Sequence, residues 1–146
     1  MSVQWIRRDH RLEMVLAVCL DVAGGLLVRA KSARQLEDAV SYNLRLWRQI
    51  RAIACDRRGW PEREVLIHVA DHVAAMLALD ACPCVDPRDL AFVAGRNMSL
   101  ACDLAAPTPL ERGRDLLAAQ WAAADSSLGL ESWLLELVAS VTPETV

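Results

Sequence analysis

The sequence has few aromatic residues, little lysine and no long uninterrupted hydrophobic run. Aromatic residues are 5% of the 146 residues, although hydrophobic residues reach 54%. Most of that apolar content is alanine and leucine, which favours helix over sheet. Six glycines and six prolines are too few for a collagen-like or low-complexity chain, and the apolar fraction excludes intrinsic disorder. A single lysine, Lys31, stands against fifteen arginines, a bias that GC-rich coding explains.

The charge and cysteine content argue against nucleic-acid binding and against secretion. The net charge is −3 and the basic residues are scattered, so we expect no DNA binding. Five cysteines form no evenly paired disulfide framework, which favours a reducing, cytoplasmic environment. The apolar run 14–28 superficially resembles a signal peptide, but Asp21 interrupts it and it is too short to span a bilayer. We interpret it as a buried helix of a cytoplasmic protein that makes no membrane contact.

Apolar residues recur at helical spacing along the chain, and no segment alternates with period two. The predicted fold class is therefore all-α, a compact bundle of about five to six helices without a sheet. We expect residues 1–106 to form one helical domain and 107–146 a helical extension packed on the same domain. Ser32, Asp86 followed by Pro87, and a Thr108-Pro-x-Glu capping arrangement are the predicted helix starts.

Two histidines and two cysteines have the residue types of a zinc site. His68 and His72 share one helical face, and the thiols of Cys82 and Cys84 would complete a tetrahedral ligand set. The Cys-x-Cys spacing is tight, however, and the helix runs on for roughly ten residues, about 15 Å, before it reaches the cysteines. A metal-binding helical regulator is therefore an alternative interpretation, and the main prediction is no metal and no cofactor.

Catalytic motifs are absent from the sequence. Asp71 could pair with His68 or His72, but no serine or cysteine lies in a recognisable nucleophile elbow. Gly24-Gly25 and Gly95 fit no phosphate-binding pattern. The sequence therefore predicts that the protein is not an enzyme; Gly24-Gly25 instead suggests a kink or a close helix contact.

Two asparagines fall on otherwise apolar helical faces. Asn43 lies one turn before Trp47, and Asn97 precedes Met98. Buried asparagine must satisfy both its amide and its carbonyl group. One interpretation is that each side chain bonds a neighbouring element and fixes helix register; the other is that both line a groove and meet the backbone of a partner.

The segment 36–47, LEDAVSYNLRLW, resembles the Asn-x-x-Leu-Trp signature of the FlaF family of flagellar biosynthesis regulators. The stretch from Trp60-Pro61-Glu62 to Val73 is similar to the Leu-Pro helix start and third segment of that family, with Trp60 in place of the usual leucine. Residues 89–101 are similar to its closing stretch. The resemblance covers about residues 33–104; the N-terminal helix matches only loosely, and 107–146 lie beyond it.

The resemblance implies a small cytoplasmic, non-catalytic protein that acts after transcription. The resemblance also implies that the protein supports flagellin synthesis and secretion by binding flagellin in a chaperone-like way, with an FlbT-like protein as a further expected partner. We expect an apolar trough edged by two amides and an indole to hold an amphipathic helix. The predicted partner-binding residues are Asn43, Leu46, Trp47, Trp60, Asn97 and Met98.

Two other possibilities concern the assembly of the chain. The protein is expected to be a monomer or a homodimer. A homodimeric interaction module is the remaining alternative function, in which the last two helices supply an apolar patch. That patch would comprise Trp121, Trp133, Leu134 and Leu137.

Overall fold

Six helices make up the described part of the chain, and two of them begin at a side-chain cap. The computed structural model describes residues 9–77 and 86–142, and within them the chain forms α-helices and no strand. The prediction of an all-α bundle is confirmed. The helices are α1 (Asp9–Arg29), α2 (Ala33–Asp56), α3 (Arg63–Leu77), α4 (Pro87–Ala105), α5 (Leu110–Ala124) and α6 (Leu130–Ala139).

Side-chain caps explain where two of these helices start. The Ser32 hydroxyl accepts a hydrogen bond from the backbone N–H of Gln35 at 3.1 Å, which caps the start of α2. The Asp86 carboxylate caps α4 in the same way, with proline at the first helical position. The capping arrangement predicted at Thr108 is wrong. Pro109 is the N-cap of α5 and makes no side-chain cap, so Glu111 lies one position too early for a capping box.

Helix α1 is the centre of the molecule. Its residues from Met14 to Leu20 are all buried, and it contacts α2, α4, α5 and α6, with α4 the most extensive neighbour. A helix that is apolar on every face belongs inside a protein or a membrane, which is why this segment resembles a signal sequence. Among the helices described, none combines the length and apolar character that crossing a bilayer requires.

The last two helices pack on the same core as the first four. Gly113 of α5 lies against the Met14 side chain, and Leu117 is fully buried. The Tyr42 hydroxyl of α2 donates to the carbonyl of Glu131 in α6 at 2.8 Å.

The apolar patch predicted for homodimerisation is used within the chain. Leu134 is fully buried, and Trp133 and Leu137 are partly buried against the core. The Trp121 indole donates to the carbonyl of Leu128 at 2.9 Å. The prediction is therefore wrong for Leu134, which the core covers completely, and Trp133 and Leu137 offer a partner only the exposed part of their side chains.

Candidate functional site

Two asparagines and one tryptophan form a hydrogen-bonded network where α1, α2 and α4 meet. Asn97 Nδ2 donates to Asn43 Oδ1 at 2.8 Å, and Trp47 Nε1 donates to Asn97 Oδ1 at 3.0 Å. Asn43 Nδ2 donates to the carbonyls of Ala23 in α1, at 3.0 Å, and Ala39 in α2, at 2.8 Å. Both asparagines are 0% exposed and Trp47 is 1% exposed. The network therefore fixes the relative positions of three helices, as the first interpretation of the asparagines predicts.

Burial of this network contradicts the predicted open trough. The helix that covers it is α1, whose glycine allows a close approach to α4. A Cβ atom added to Gly24 would lie 3.3 Å from the carbonyl oxygen of Ala94 and 3.5 Å from Cβ of Asn97. No partner can contact these side chains in this conformation, so their prediction as partner-binding residues is wrong. The four buried residues are Asn43, Leu46, Trp47 and Asn97.

The two remaining predicted partner-binding residues differ from each other. Trp60 is partly buried against the core; its indole nitrogen lies 3.5 Å from a carboxylate oxygen of Glu13, and the Arg57 guanidinium carbon lies 6.0 Å from its ring centre. Trp60 therefore holds the α2–α3 turn against α1. Met98, by contrast, is 44% exposed and lines an open groove.

That groove runs along the junction of α1 and α4 and has a volume of about 780 Å³. Its most exposed apolar side chains are Val28 of α1, which is 73% exposed, and Met98 of α4. Several other lining residues have no side chain larger than a methyl group, so a second backbone can come close to this surface. On α4 these small residues are Ala91, Ala94 and Gly95. The space over Gly24 of α1 is already taken by Ala94, and the space over Gly25 by the Arg29 guanidinium. We call this surface the α1–α4 groove.

Charged residues lie at both ends of the α1–α4 groove. At one end the Arg114 guanidinium binds the buried Asp21 carboxylate at 2.8 Å, and this hydrogen bond raises the pKa of Arg114. At the other end lie Arg29 and Glu131, which make no ion pair within the described residues. Asp21 and Arg29 are eight residues apart on α1, which is about 12 Å along the helix axis. The groove is therefore long enough for about two turns of a second helix.

A neighbouring cavity of about 540 Å³ adjoins the same end of α1. It lies between α1, α2 and α6, and it shares Arg29 and Glu131 with the α1–α4 groove. Tyr42 lines it, and burial raises the pKa of the Tyr42 hydroxyl, which donates to the backbone of Glu131. The Arg29 side chain thus stands between two concave surfaces.

The histidines proposed for a metal site lie together on the exposed side of α3. The ring centres of His68 and His72 are 6.5 Å apart and nearly parallel, and Phe92 of α4 packs edge-on against His72 at 5.5 Å. Cys82 and Cys84 lie outside the described residues. In the part of the chain that is described, no group of three or more histidine, cysteine or acidic side chains could hold a metal ion. The Asp71 carboxylate binds Arg51 of α2 at 2.7 Å.

The residues that line the α1–α4 groove are largely ones that sequence reasoning missed. Val28 and Arg29 lie at the end of the apolar run 14–28, which predicts one buried helix, but both residues are exposed. A usable signal was present on α4, where Ala91, Gly95 and Met98 follow one another at helical spacing. A row of such small residues beside an apolar one marks a surface that another helix can approach closely.

Comparison of the chain with protein-family models, with curated proteins and with solved structures finds no match.

Proposed function

We propose that this protein is a non-catalytic regulator of flagellum biogenesis, of the FlaF type, that binds flagellin in a chaperone-like way. The resemblance of residues 33–104 to that family supports the proposal. On the same grounds the protein acts in the cytoplasm, as a monomer or homodimer, with an FlbT-like protein as a further partner.

The observation that carries the proposal is the α1–α4 groove. The termini of flagellin are amphipathic helices that need shielding before export, and such helices bind by inserting apolar side chains into a hydrophobic groove. Val28 and Met98 offer exposed apolar contacts, and the small residues beside them admit a close backbone. In this proposal Val28 and Met98 bind the partner, in place of the buried Asn43 and Trp47.

Calorimetric titration with flagellin from the same cell tests the proposal. We expect binding in the micromolar range or tighter. Val28→Asp and Met98→Asp should each weaken it by about tenfold or more, because a carboxylate placed against an apolar helix must lose water, and about 1.4 kcal/mol corresponds to tenfold. Both positions are exposed, so circular dichroism should show unchanged folding.

Val65→Asp is the matched control. Val65 is 47% exposed on α3 and does not line the α1–α4 groove. It introduces the same charge at an exposed valine, so it should leave the affinity unchanged. Absence of flagellin binding by the wild-type protein, or equal losses in all three variants, would contradict the proposal.

A further inference from the structure

The Arg29 side chain occupies a specific position at the mouth of the α1–α4 groove. It lies in the last turn of α1, and its guanidinium folds back over Gly25. A Cβ atom added to Gly25 would lie 2.8 Å and 3.1 Å from the two terminal nitrogens of Arg29. The absence of a side chain at Gly25 therefore leaves space for the guanidinium, which lines both the groove and the neighbouring cavity.

Arg29 differs from the other arginine of the groove in lacking an anionic partner. Arg114 is bound to Asp21, so that end of the groove is electrically balanced. Arg29 makes no ion pair among the described residues, although Glu131 lines the same two concave surfaces. Its five N–H donors are arranged to bind a carboxylate through two parallel hydrogen bonds.

We infer that Arg29 recognises a carboxylate on the helix that the groove binds. This inference rests on the proposed function and deepens it. The occupant is an amphipathic helix of about two turns whose apolar residues contact Val28 and Met98. An aspartate or glutamate at the end of this apolar stripe reaches Arg29. At the position that reaches Arg29, the groove thus favours a carboxylate over a lysine, because a lysine there would meet the guanidinium.

The test uses a synthetic peptide of the N-terminal amphipathic helix of flagellin and three variants of the full-length protein. Arg29→Glu should weaken peptide binding by about threefold to tenfold, the range for a partly exposed charge pair that becomes a like-charge pair. Arg29→Lys should weaken peptide binding less, because lysine keeps the positive charge. Some affinity should still be lost, because lysine cannot make the two parallel hydrogen bonds of a guanidinium. The loss for Arg29→Glu should shrink in 0.5 M NaCl, since salt screens exposed charges over about 4 Å at that concentration.

Arg34→Glu is the matched control, because Arg34 is an exposed arginine of α2 that lines neither concave surface. It should bind the peptide as the wild type does. A second peptide, with its acidic residues replaced by the corresponding amides, should bind the wild type and Arg29→Glu equally. That result would show that Arg29 acts on a carboxylate of the ligand.

Three results would overturn the inference. The first is an affinity of Arg29→Glu for the peptide equal to that of Arg34→Glu. The second is a loss of affinity in Arg29→Glu that persists with the amide peptide. The third is a dimer that sedimentation detects without peptide and that Arg29→Glu dissociates, which would make a second copy of the chain the occupant. Failure of the proposed function looks different, because the wild type would then bind neither peptide nor flagellin. Peptide binding that depends on Val28 and Met98 but not on Arg29 would leave the proposed function standing alone.

Discussion

Replacing Asn97 by leucine should destabilise the protein far more than a change of one surface residue. Asn97→Leu keeps the branching at Cγ and the number of side-chain heavy atoms, but removes both the amide that donates to Asn43 and the carbonyl that accepts from Trp47. Two fully buried polar groups then lose their partners, namely Asn43 Oδ1 and the Trp47 indole N–H. Water cannot replace the lost partners without moving α1, because the site is fully enclosed.

The expected loss follows from these two orphaned groups. Each costs about 1–3 kcal/mol when it is left unpaired, and the added apolar burial of leucine returns roughly 1 kcal/mol. The free energy of unfolding should therefore fall by about 1–5 kcal/mol, against a total of about 5–15 kcal/mol for a typical domain. Asn43→Leu combined with Asn97→Leu should lose less than the sum of the single changes, by about 1–2 kcal/mol. The double variant contains neither Asn43 Oδ1 nor Asn97 Nδ2, the two groups of this pair that the single changes leave unpaired, whereas the Trp47 N–H stays unpaired in both Asn97→Leu and the double variant.

Urea denaturation followed by circular dichroism measures these differences, provided that the slope of the unfolding free energy against urea concentration is the same in each variant. Ser99→Ala is the control: Ser99 is exposed on the same helix, and its replacement should change the unfolding free energy by less than about 0.5 kcal/mol. Strictly additive losses at Asn43 and Asn97, or a loss at Asn97 no larger than at Ser99, would refute the hydrogen-bonded network.

Three further predictions follow from burial and from the groove. Asn97→Asp should be more stable at acidic pH than at neutral pH, because burial raises the pKa of the introduced carboxyl and its protonated form can still donate to Asn43. The variant's stability relative to wild type, measured by urea denaturation, should therefore fall as the pH rises between about 5 and 8. A difference that does not depend on pH would contradict this. Gly95→Ala should raise the free energy of unfolding by about 0.5–1 kcal/mol, because alanine has the higher helix propensity and nothing lies within 4 Å of the added methyl. The same change should weaken flagellin binding because the methyl narrows the groove, and an unchanged affinity would argue against occupation of the groove. Burial raises the pKa of the Cys19 thiol, so iodoacetamide at neutral pH should alkylate the exposed Cys102 and leave Cys19 unmodified until urea is added. Peptide mass spectrometry measures the modification of each cysteine, and rapid modification of Cys19 would show that α1 is not enclosed.

The helices could be predicted from the sequence because their signals are local. Ser32 and Asp86 cap the helices that follow them, and the apolar period along α2 to α4 gives each of these helices its buried face. Thr108 shows the limit of such signals. The capping pattern fits one register, but α5 starts one residue later, and a pattern four residues long does not distinguish the two.

The site was harder to predict because exposure depends on what covers each residue. Asn43 and Asn97 lie on apolar faces, which fits either a groove or an internal bond. Only the close approach of α1 at Gly24 decides between them, and that approach is a property of three helices together. Val28 is the last residue of the apolar run 14–28, and that run predicts a buried helix. The sequence does not show that α1 has passed the core by then.

Site-specific photocrosslinking to flagellin shows whether a flagellin helix occupies the α1–α4 groove in the complex. A photoreactive phenylalanine analogue replaces Met98, inside the α1–α4 groove, or Phe92, an exposed residue of the same helix that packs on His72 and does not line the groove. We expect irradiation of the complex to crosslink position 98 to a terminal helix of flagellin and to leave position 92 unlinked. Crosslinking at 92 but not at 98 would contradict this expectation.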